Sequence, residues 1–387
     1  MHAVHISTTP FENQSRVLKE TQSLVHQGIV DNVTILAKSK LGLPLREEID
    51  GQRLVMRLSN GFIDRLGWLA NNSLGDSLRD ISYLWKVVME VRRQKPHFIN
   101  LHHIYLLVIV PFLRRVAPAA KLIYDAHELE TETYALKGFP KRLLKRLERY
   151  MIRLFDHVFV VSPSIEKWYR DEYDISNVTT VMNCPQYWRG EKKNFFREEF
   201  SISPKSRIFL YQGALFRGRG LEVLLEAFRR LDESKYSLII MGYGPMQEHI
   251  QTQALLHKNI FFKQAVHPDV VLSHTSSADF GISLIENTCL SYYYCLPNKL
   301  FEYLMAGVPC IVSDLPEMRK VVETWSAGIV CMDMLVDSVL SAISKTDDFY
   351  FGGFYEKLDA FRQSFSWASQ EEKMIGVYRQ LLQERGI

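Results

Sequence analysis

The chain is poor in cysteine, with five in 387 residues (Cys184, Cys289, Cys295, Cys310 and Cys331) and no C-x-x-C pair among them. An odd, scattered set excludes a disulfide framework and a cysteine-held zinc site, and it reads as reduced, cytosolic thiols. No grouping of His, Asp or Glu has the spacing of a dedicated metal site, so no metal is expected. No apolar run approaches the ~18 residues needed to cross a bilayer. The most apolar stretch, 104–113, is too short. The opening HAVHIS is strand-like, and no signal peptide is expected. A formal net charge of +3 is too small to imply nucleic acid. The G-K-[ST] ending of a P-loop and the glycine spacing of a dinucleotide fingerprint are both missing.

What is present is an ordinary globular composition, 47% apolar and 24% charged, at a length that suggests two domains. The charge is uneven. Residues 1–187 hold 25 Lys/Arg against 20 Asp/Glu, while the remainder holds 22 against 24. That asymmetry points to an anionic partner for the first half. Short apolar runs at 3–7, 33–37, 98–101, 122–125 and 158–162 alternate with helical patterns such as 16–27, 78–93 and 141–154. The alternation resumes at 208–212, 238–242, 260–262, 280–284 and 309–313, with 220–231 helical. Such alternation predicts α/β architecture: two doubly wound domains with parallel sheets, joined across 183–204.

Ligands of open parallel sheets sit outside the carboxyl ends of the strands. The loops there are His5 to Pro10, Asn100 to His103, Tyr124 to Glu128, Gln212 to Gly220 and Gly242 to Pro245. Gln212 to Gly220 carries Gly213, Gly218 and Gly220 with Arg217 and Arg219, a set that lets amides and guanidiniums approach an anion. A plain turn with solvated arginines is the competing reading. Asp125, His127 and Glu128 follow a strand together. His127 could polarise a sugar hydroxyl, with Asp125 or Glu128 fixing its tautomer; a helix-capping carboxylate beside a satisfied histidine explains the same residues. His102 and His103 form a second pair that spacing does not separate. The run Cys295 to Ser313 reads loop, short helix from Pro297, glycine stop at Gly307, buried strand. Lys299 and Glu302 share one face of that helix. Helix amides and Lys299 suit a phosphate, and Glu302 suits hydroxyls. The alternative is a surface ion pair.

Residues 141–154 read KRLLKRLERYMIRL. Leu143, Leu144, Leu147, Tyr150, Met151 and Leu154 fall on one helical face, with Lys141, Arg142, Lys145, Arg146, Arg149 and Arg153 on the rest. This spacing predicts a core-facing helix with a solvated basic back. Docking of the helix from Lys141 to Arg153 on an anionic membrane surface is the alternative.

Taken together, YDAHE at 124–128, VFVVSPS at 158–164, Asn183 with Pro185, YQGALFRGRGLEVLLEAF at 211–228, MGYGP at 241–245, PNKLFEYLMAGVP at 297–309 and the closing Ser366-Trp367 resemble the retaining glycosyltransferases of family 4. The resemblance implies the GT-B fold: two Rossmann-like domains facing a cleft. An acceptor-side domain would occupy 1–190, with a C-terminal helix at 367–387 crossing back onto it, and a donor domain would occupy 200–366. It implies a retaining, metal-independent hexosyltransferase that uses no cofactor. The sugar would come from a nucleoside diphosphate sugar, UDP favoured over GDP, and go to a glycan or lipid-linked acceptor in cell-surface polysaccharide synthesis. A sugar-nucleotide epimerase or a catalytically silent nucleotide-sugar-binding partner are the alternatives. The protein would be cytoplasmic and peripheral on the inner membrane face. The implied catalytic residues are His127, Arg219, Lys299 and Glu302. The nucleotide would lie on Gly213, Gly242, Gly244, Val266, Asn298, Leu300 and Glu302. The family's first glutamate is missing, because Tyr294 stands eight positions before Glu302; Glu286 or Asn287 would compensate. Ala214 stands where an arginine is common, and Arg219 where the lysine usually falls. Ser7, Thr8 and Arg16 occupy the first loop, where the usual glycine pair is absent.

Overall fold

The structure, a computed structural model of the chain, describes residues 1–12, 14–59 and 73–384. The chain divides into two units, Met1–Val181 with Glu371–Ile387, and Met182–Gln370. Unit 1 holds an eight-stranded sheet of His2–Ile6 (β1), Asn32–Lys38 (β2), Arg46–Asp50 (β3), Arg53–Leu58 (β4), Phe98–Leu101 (β5), Lys121–Ala126 (β6), His157–Val160 (β7) and Val178–Thr180 (β8). Its order is β3-β4-β2-β1-β5-β6-β7-β8. Every pairing is parallel except β3 with β4. The parallel strands were legible as apolar runs because helices cover both faces. Three strands were not. β3, REEID, is an exposed edge strand without an apolar run. β4, RLVMRL, alternates buried with half-buried positions and carries two arginines. β8 is three residues long.

Unit 2 holds a six-stranded parallel sheet of Arg207–Ala214 (β9), Tyr236–Tyr243 (β10), Ile260–Gln264 (β11), Phe280–Ser283 (β12), Cys310–Ser313 (β13) and Gly328–Cys331 (β14). The order is β11-β10-β9-β12-β13-β14. Successive side chains alternate between two apolar layers. Ile208, Leu210, Ile239 and Met241 enter one, and Phe209, Tyr211, Leu238 and Ile240 the other. Burial on both faces explains why β9, β10, β12 and β13 read as continuous apolar runs, while β14, largely half-buried, was not among the expected strands. Helix Leu221–Arg230 packs Leu221, Leu224, Leu225 and Phe228 on the second layer, the i, i+3, i+4, i+7 stripe of an amphipathic helix.

Strand order reverses between β1 and β5 in unit 1 and between β9 and β12 in unit 2. Crevices at the carboxyl ends of such sheets open at these points. In unit 2 the opening is concrete. β9 and β12 pair only at Phe209–Phe280 and Leu210–Gly281. One residue further, the Tyr303 hydroxyl stands between the diverging strands. It accepts from the Gln212 N–H at 3.0 Å and donates to the Ile282 carbonyl at 3.1 Å. The Tyr303 ring lies against Gly281, where a Cβ would fall 2.3 Å from ring Cγ.

The basic helix departs from its expected orientation. Helix Gly138–Met151 buries only Glu148 fully. Leu143, Tyr150 and Leu154 are exposed, and Leu144, Leu147 and Met151 are half-buried. The reason is that the acid finds hydroxyl donors inside. Tyr169 donates to its Oε1 at 2.8 Å and Tyr173 to its Oε2 at 2.5 Å. Spacing alone shows which residues share a face and says nothing about which face turns inward.

Glu148→Ala leaves two buried tyrosine hydroxyls without an acceptor and is expected to destabilise unit 1 by about 2–4 kcal/mol, while Glu148→Gln, which keeps one acceptor, loses less. Thermal denaturation of the two variants checks this order.

Candidate functional site

The nucleotide-bed candidates of unit 2 gather at the carboxyl ends of β9 and β10 and the start of helix Asn298–Met305. Pro297 precedes that helix, and Gly307, at φ +77°, follows it. The Leu304 and Tyr303 carbonyls accept from the N–H groups of Gly307 and Val308 at 3.0 and 2.9 Å, closing the helix end. Lys299 extends over the Tyr211 ring, its Nζ 3.6 Å from the ring centre, and passes Gly213, where a Cβ would lie 3.7 Å from Lys299 Cε. Gly213 itself has φ +115°. A Cβ on Gly242 would meet the Gly213 carbonyl oxygen at 1.9 Å, so only glycine lets these two strand ends approach. A Cβ on Gly244 would lie 2.7 Å from the Leu215 carbonyl oxygen.

Glu302 projects toward β9. The Gln212 amide donates to Glu302 Oε2, and Gln212 Oε1 accepts from the Thr275 hydroxyl at 2.8 Å. Gln212 is thus a buried bracket that fixes the carboxylate, and nothing in the loop's glycine pattern signalled it. Arg219 stacks on Tyr292 at 4.9 Å. Burial first, and the Arg219 charge second, pull the Lys299 ammonium down to about 7, against the opposing pull of Glu302. The loop after β12 rests on the same glycine turn, with the Glu286 N–H donating to the Gly218 carbonyl at 3.2 Å. Glu286 is half-buried and Asn287 exposed. Tyr294 is half-buried, its ring tilted against that of Tyr293 with centroids 5.2 Å apart. Val266 packs at the edge of the first apolar layer. Asn298 is exposed. Leu300 is fully buried and its N–H is spent on the Pro297 carbonyl at 3.0 Å, so its part is packing under the bed.

In unit 1 the sequence pairs converge on Asp125. His127 Nε2 lies 2.8 Å from Asp125 Oδ2 and His102 Nδ1 3.0 Å from the same oxygen. Arg16 reaches Asp125 through Nε at 3.0 Å and Nη2 at 2.5 Å, and donates through Nη1 to the Val181 carbonyl at 2.6 Å. Arg16 also pairs with Glu20 at 3.0 Å. Burial alone would raise the Asp125 pKa. The charge of Arg16, then that of His127, and hydrogen bonds from both histidines hold it well below the carboxylate range. Glu20 goes the other way: burial, then the Asp125 charge, push it well above that range, so Asp125 carries the charge and Glu20 the proton. His103 stands apart, beside Glu130 at 3.2 Å, and burial draws it down to about 4. Glu128 is exposed and Ser7 buried, while Thr8 is half-buried. His5, Glu20, His102, Asp125 and His127 could present ligand atoms to an ion in two overlapping triads. Arg16 already holds both carboxylates, so the cation this cluster accommodates is a guanidinium. Its role was not legible from the sequence, because 109 residues separate it from Asp125.

Comparison with known proteins gives a consistent result. The family "Glycosyl transferases group 1" matches residues 192–346, and "Glycosyltransferase Family 4" matches residues 21–184. An uncharacterized glycosyltransferase of Methanocaldococcus jannaschii is 23% identical over 241 residues, covering 60% of this chain and 56% of the relative. The match therefore spans little more than half of that relative's length. Sucrose-phosphate synthase from Thermosynechococcus elongatus superposes with a TM-score of 0.78 at 16% identity, covering 99% of this chain and 100% of that one. Anabaena HepE in complex with UDP-glucose superposes at 0.70 with 12% identity, covering 98% and 100%. These likenesses show the GT-B fold.

The charge assignment around Arg16 is testable by stability. Asp125→Asn leaves a buried guanidinium without its anion and is expected to cost about 3–5 kcal/mol, whereas Glu20→Gln, replacing an already neutral group, stays within about 1 kcal/mol. Denaturant titration at neutral pH measures both, and the reverse order would move the charge to Glu20.

Proposed function

The chain belongs to the group 1 / family 4 glycosyltransferases, and from that premise we propose that it transfers a hexose from a nucleoside diphosphate sugar, UDP favoured, with anomeric configuration retained. The observation that carries this reading is the convergence of Lys299, Arg219 and a bracketed Glu302 on a glycine-lined strand end. Glu302, its rotamer fixed by Gln212, accepts from the ribose hydroxyls. The close Gly213–Gly242 backbones give the nucleotide a flat bed. Arg219 and Lys299 neutralise the diphosphate. As the bond from the anomeric carbon to the diphosphate breaks, negative charge grows on that leaving group, so fixed cations stabilise the transition state more than the ground state. A bond then forms to the acceptor hydroxyl, whose proton passes to the departing diphosphate. On unit 1, His127 is the proposed sugar contact. Glu286, pinned by its backbone to the Arg219 turn, is the nearest replacement for the acid that Tyr294 displaces.

The acceptor we propose is a lipid-linked or cell-surface glycan, met on an anionic membrane surface at the inner face. The support is the outward turn of helix Gly138–Met151. Phe139, Leu143, Tyr150 and Leu154 are exposed, by 74%, 58%, 65% and 36%. Arg142, Arg146 and Arg153 stand on the same stripe and have no ion-pair partner among the described residues. The remaining cations of the helix are spent internally, Lys141 and Lys145 on Glu132 and Arg149 on Glu172. An apolar stripe edged with unpaired arginines matches an anionic headgroup layer, at about 1 kcal/mol per basic residue near the surface. No helix among the described residues is long and apolar enough to cross a membrane.

Calorimetric titration with UDP and GDP is expected to show binding that Glu302→Ala weakens at least tenfold without lowering the melting temperature; unchanged affinity would reject the ribose role. Binding without transfer by the purified chain, supplied with donor and a glycolipid extract, would favour the silent nucleotide-sugar-binding partner. In flotation assays the chain is expected to rise with vesicles containing phosphatidylglycerol and not with pure phosphatidylcholine. Leu143→Glu combined with Arg146→Glu should abolish flotation, and retention by those variants would remove the membrane from this reading.

A further inference from the structure

We propose that the outer elements of unit 1 on either side of β5, at 73–94 and 104–116, form an apolar membrane-docking face that continues the exposed stripe of helix Gly138–Met151. The proposal rests on the membrane reading of that helix and enlarges it from one helix to a layer. Helix Ser73–Gln94 leads from β4 to β5, and a 3-10 turn at Ile104–Ile109 runs into helix Val110–Val116 between β5 and β6. The crossovers β4 to β5, β5 to β6 and β6 to β7 all run the same way across the sheet, and right-handed crossovers put their helices on one face. There the 3-10 turn packs against both Ser73–Gln94 and Gly138–Met151. The opposite face is covered by helices Ser15–His26 and Trp367–Gln383, whose Arg16 and Tyr378 meet Asp125 and Asn100.

The two faces differ in what they show to water. Leu78, Ile81, Trp85 and Met89 are exposed along one stripe of helix Ser73–Gln94, Ile81 by 63% and Trp85 by 61%. Tyr105, Val108 and Phe112 are exposed along the neighbouring element. Among the described residues, helices Ser15–His26 and Trp367–Gln383 expose no large apolar side chain. Single apolar residues scattered over a surface are ordinary. Adjacent stripes gathered on one layer, with none on the other, mark an interaction face.

Charge chooses the occupant. Each acid on helix Ser73–Gln94 is matched by a cation: Asp76 by Arg79 at 2.5 Å, Asp80 by Lys38 at 2.6 Å and Glu90 by Arg93. Residues 104–116 carry no acid. Arg92 and Arg115 are exposed and have no ion-pair partner among the described residues, like Arg142, Arg146 and Arg153 on the third helix. The layer therefore joins apolar stripes to an excess of unpaired positive charge. A second copy of this chain would set that charge against itself across a two-fold interface. An anionic headgroup layer complements it, and the amphipathic rings of Trp85 and Tyr105 suit the boundary between headgroups and hydrocarbon.

Flotation of the full chain with vesicles of phosphatidylglycerol and phosphatidylcholine tests the face. Ile81→Glu with Trp85→Glu, and separately Val108→Glu with Phe112→Glu, are expected to lower vesicle binding about tenfold or more, although helix Gly138–Met151 is untouched. Lys373→Glu with Arg379→Glu, at exposed positions of helix Trp367–Gln383, removes more positive charge from the opposite face and is expected to leave binding within about twofold. Wild-type binding by either apolar-face pair overturns the proposal. So does a loss in the control pair as large as theirs, which would mark unspecific attraction. Quenching of tryptophan fluorescence by brominated phosphatidylcholine, mixed with phosphatidylglycerol, needs no disruptive variant. It is expected in the wild type and reduced in Trp85→Phe, and equal quenching in both would overturn the proposal. Sedimentation without lipid reads the rival occupant: a dimer that Ile81→Glu with Trp85→Glu dissociates would assign the face to a second copy. The single-helix reading stands or falls separately. Binding lost in Leu143→Glu with Arg146→Glu and kept in the other pairs upholds that reading and overturns this proposal, and binding lost only in the pairs on 73–94 and 104–116 does the reverse.

Discussion

A buried backbone polar group must have a partner, and where two parallel strands part company the ladder no longer supplies one. That constraint shapes unit 2. β9 and β12 stop pairing after Leu210 and Gly281, and the Tyr303 hydroxyl takes over by bonding Gln212 N–H and the Ile282 carbonyl. Because Tyr303 belongs to the same helix as Lys299 and Glu302, satisfying the split strands also fixes where that helix starts. The helix's first turn is delivered to the opened sheet edge, and Gln212, held by the same hydroxyl through its backbone, turns its side chain to Glu302. One phenol thus ties the sheet's reversal point to the placement of the charged groups, and Gly281 is the residue that makes room for its ring.

Unit 1 meets the corresponding problem with charge. Its reversal point between β1 and β5 is lined by His5, Asn100 and His102. Asp125, from β6, lies among them. An ionised carboxylate there is tolerable only with a matched cation and every lone pair used. Arg16 provides the cation, and the two histidines use the remaining acceptor capacity. Arg16 also ties the start of the chain to its later part, by donating to the Val181 carbonyl. The raised pKa of Glu20 shows the limit of the arrangement, since one guanidinium supports one buried negative charge.

What the sequence made legible follows from what is local. The α/β alternation, the helix opened by Pro297 and closed by Gly307, and the shared face of Lys299 and Glu302 depend on residues within a turn or a strand of each other. The family resemblance extends that list to the order of the motifs. Gln212, Tyr303 and Arg16 escaped because these bonds reach partners 90 to 165 residues away. β3 and β4 escaped for another reason: an edge hairpin needs no apolar run, since one of its strands faces water. Helix Gly138–Met151 is the instructive failure. Its period was correct and its inward face was not, because the two tyrosine hydroxyls waiting for Glu148 lie on the next helix.

The two units therefore handle polarity in opposite ways. Unit 2 holds two cations, Arg219 and Lys299, against a single bracketed carboxylate. Such a site favours a multiply charged anion, because each cation is stacked on an aromatic ring and little reorganisation remains when the anion arrives. The lowering of Lys299 to about 7 fits that view: burial and Arg219 make its charge costly, and an incoming multiply charged anion would offset that cost. Unit 1 balances its charge internally, with Arg16 and two histidines gathered around Asp125.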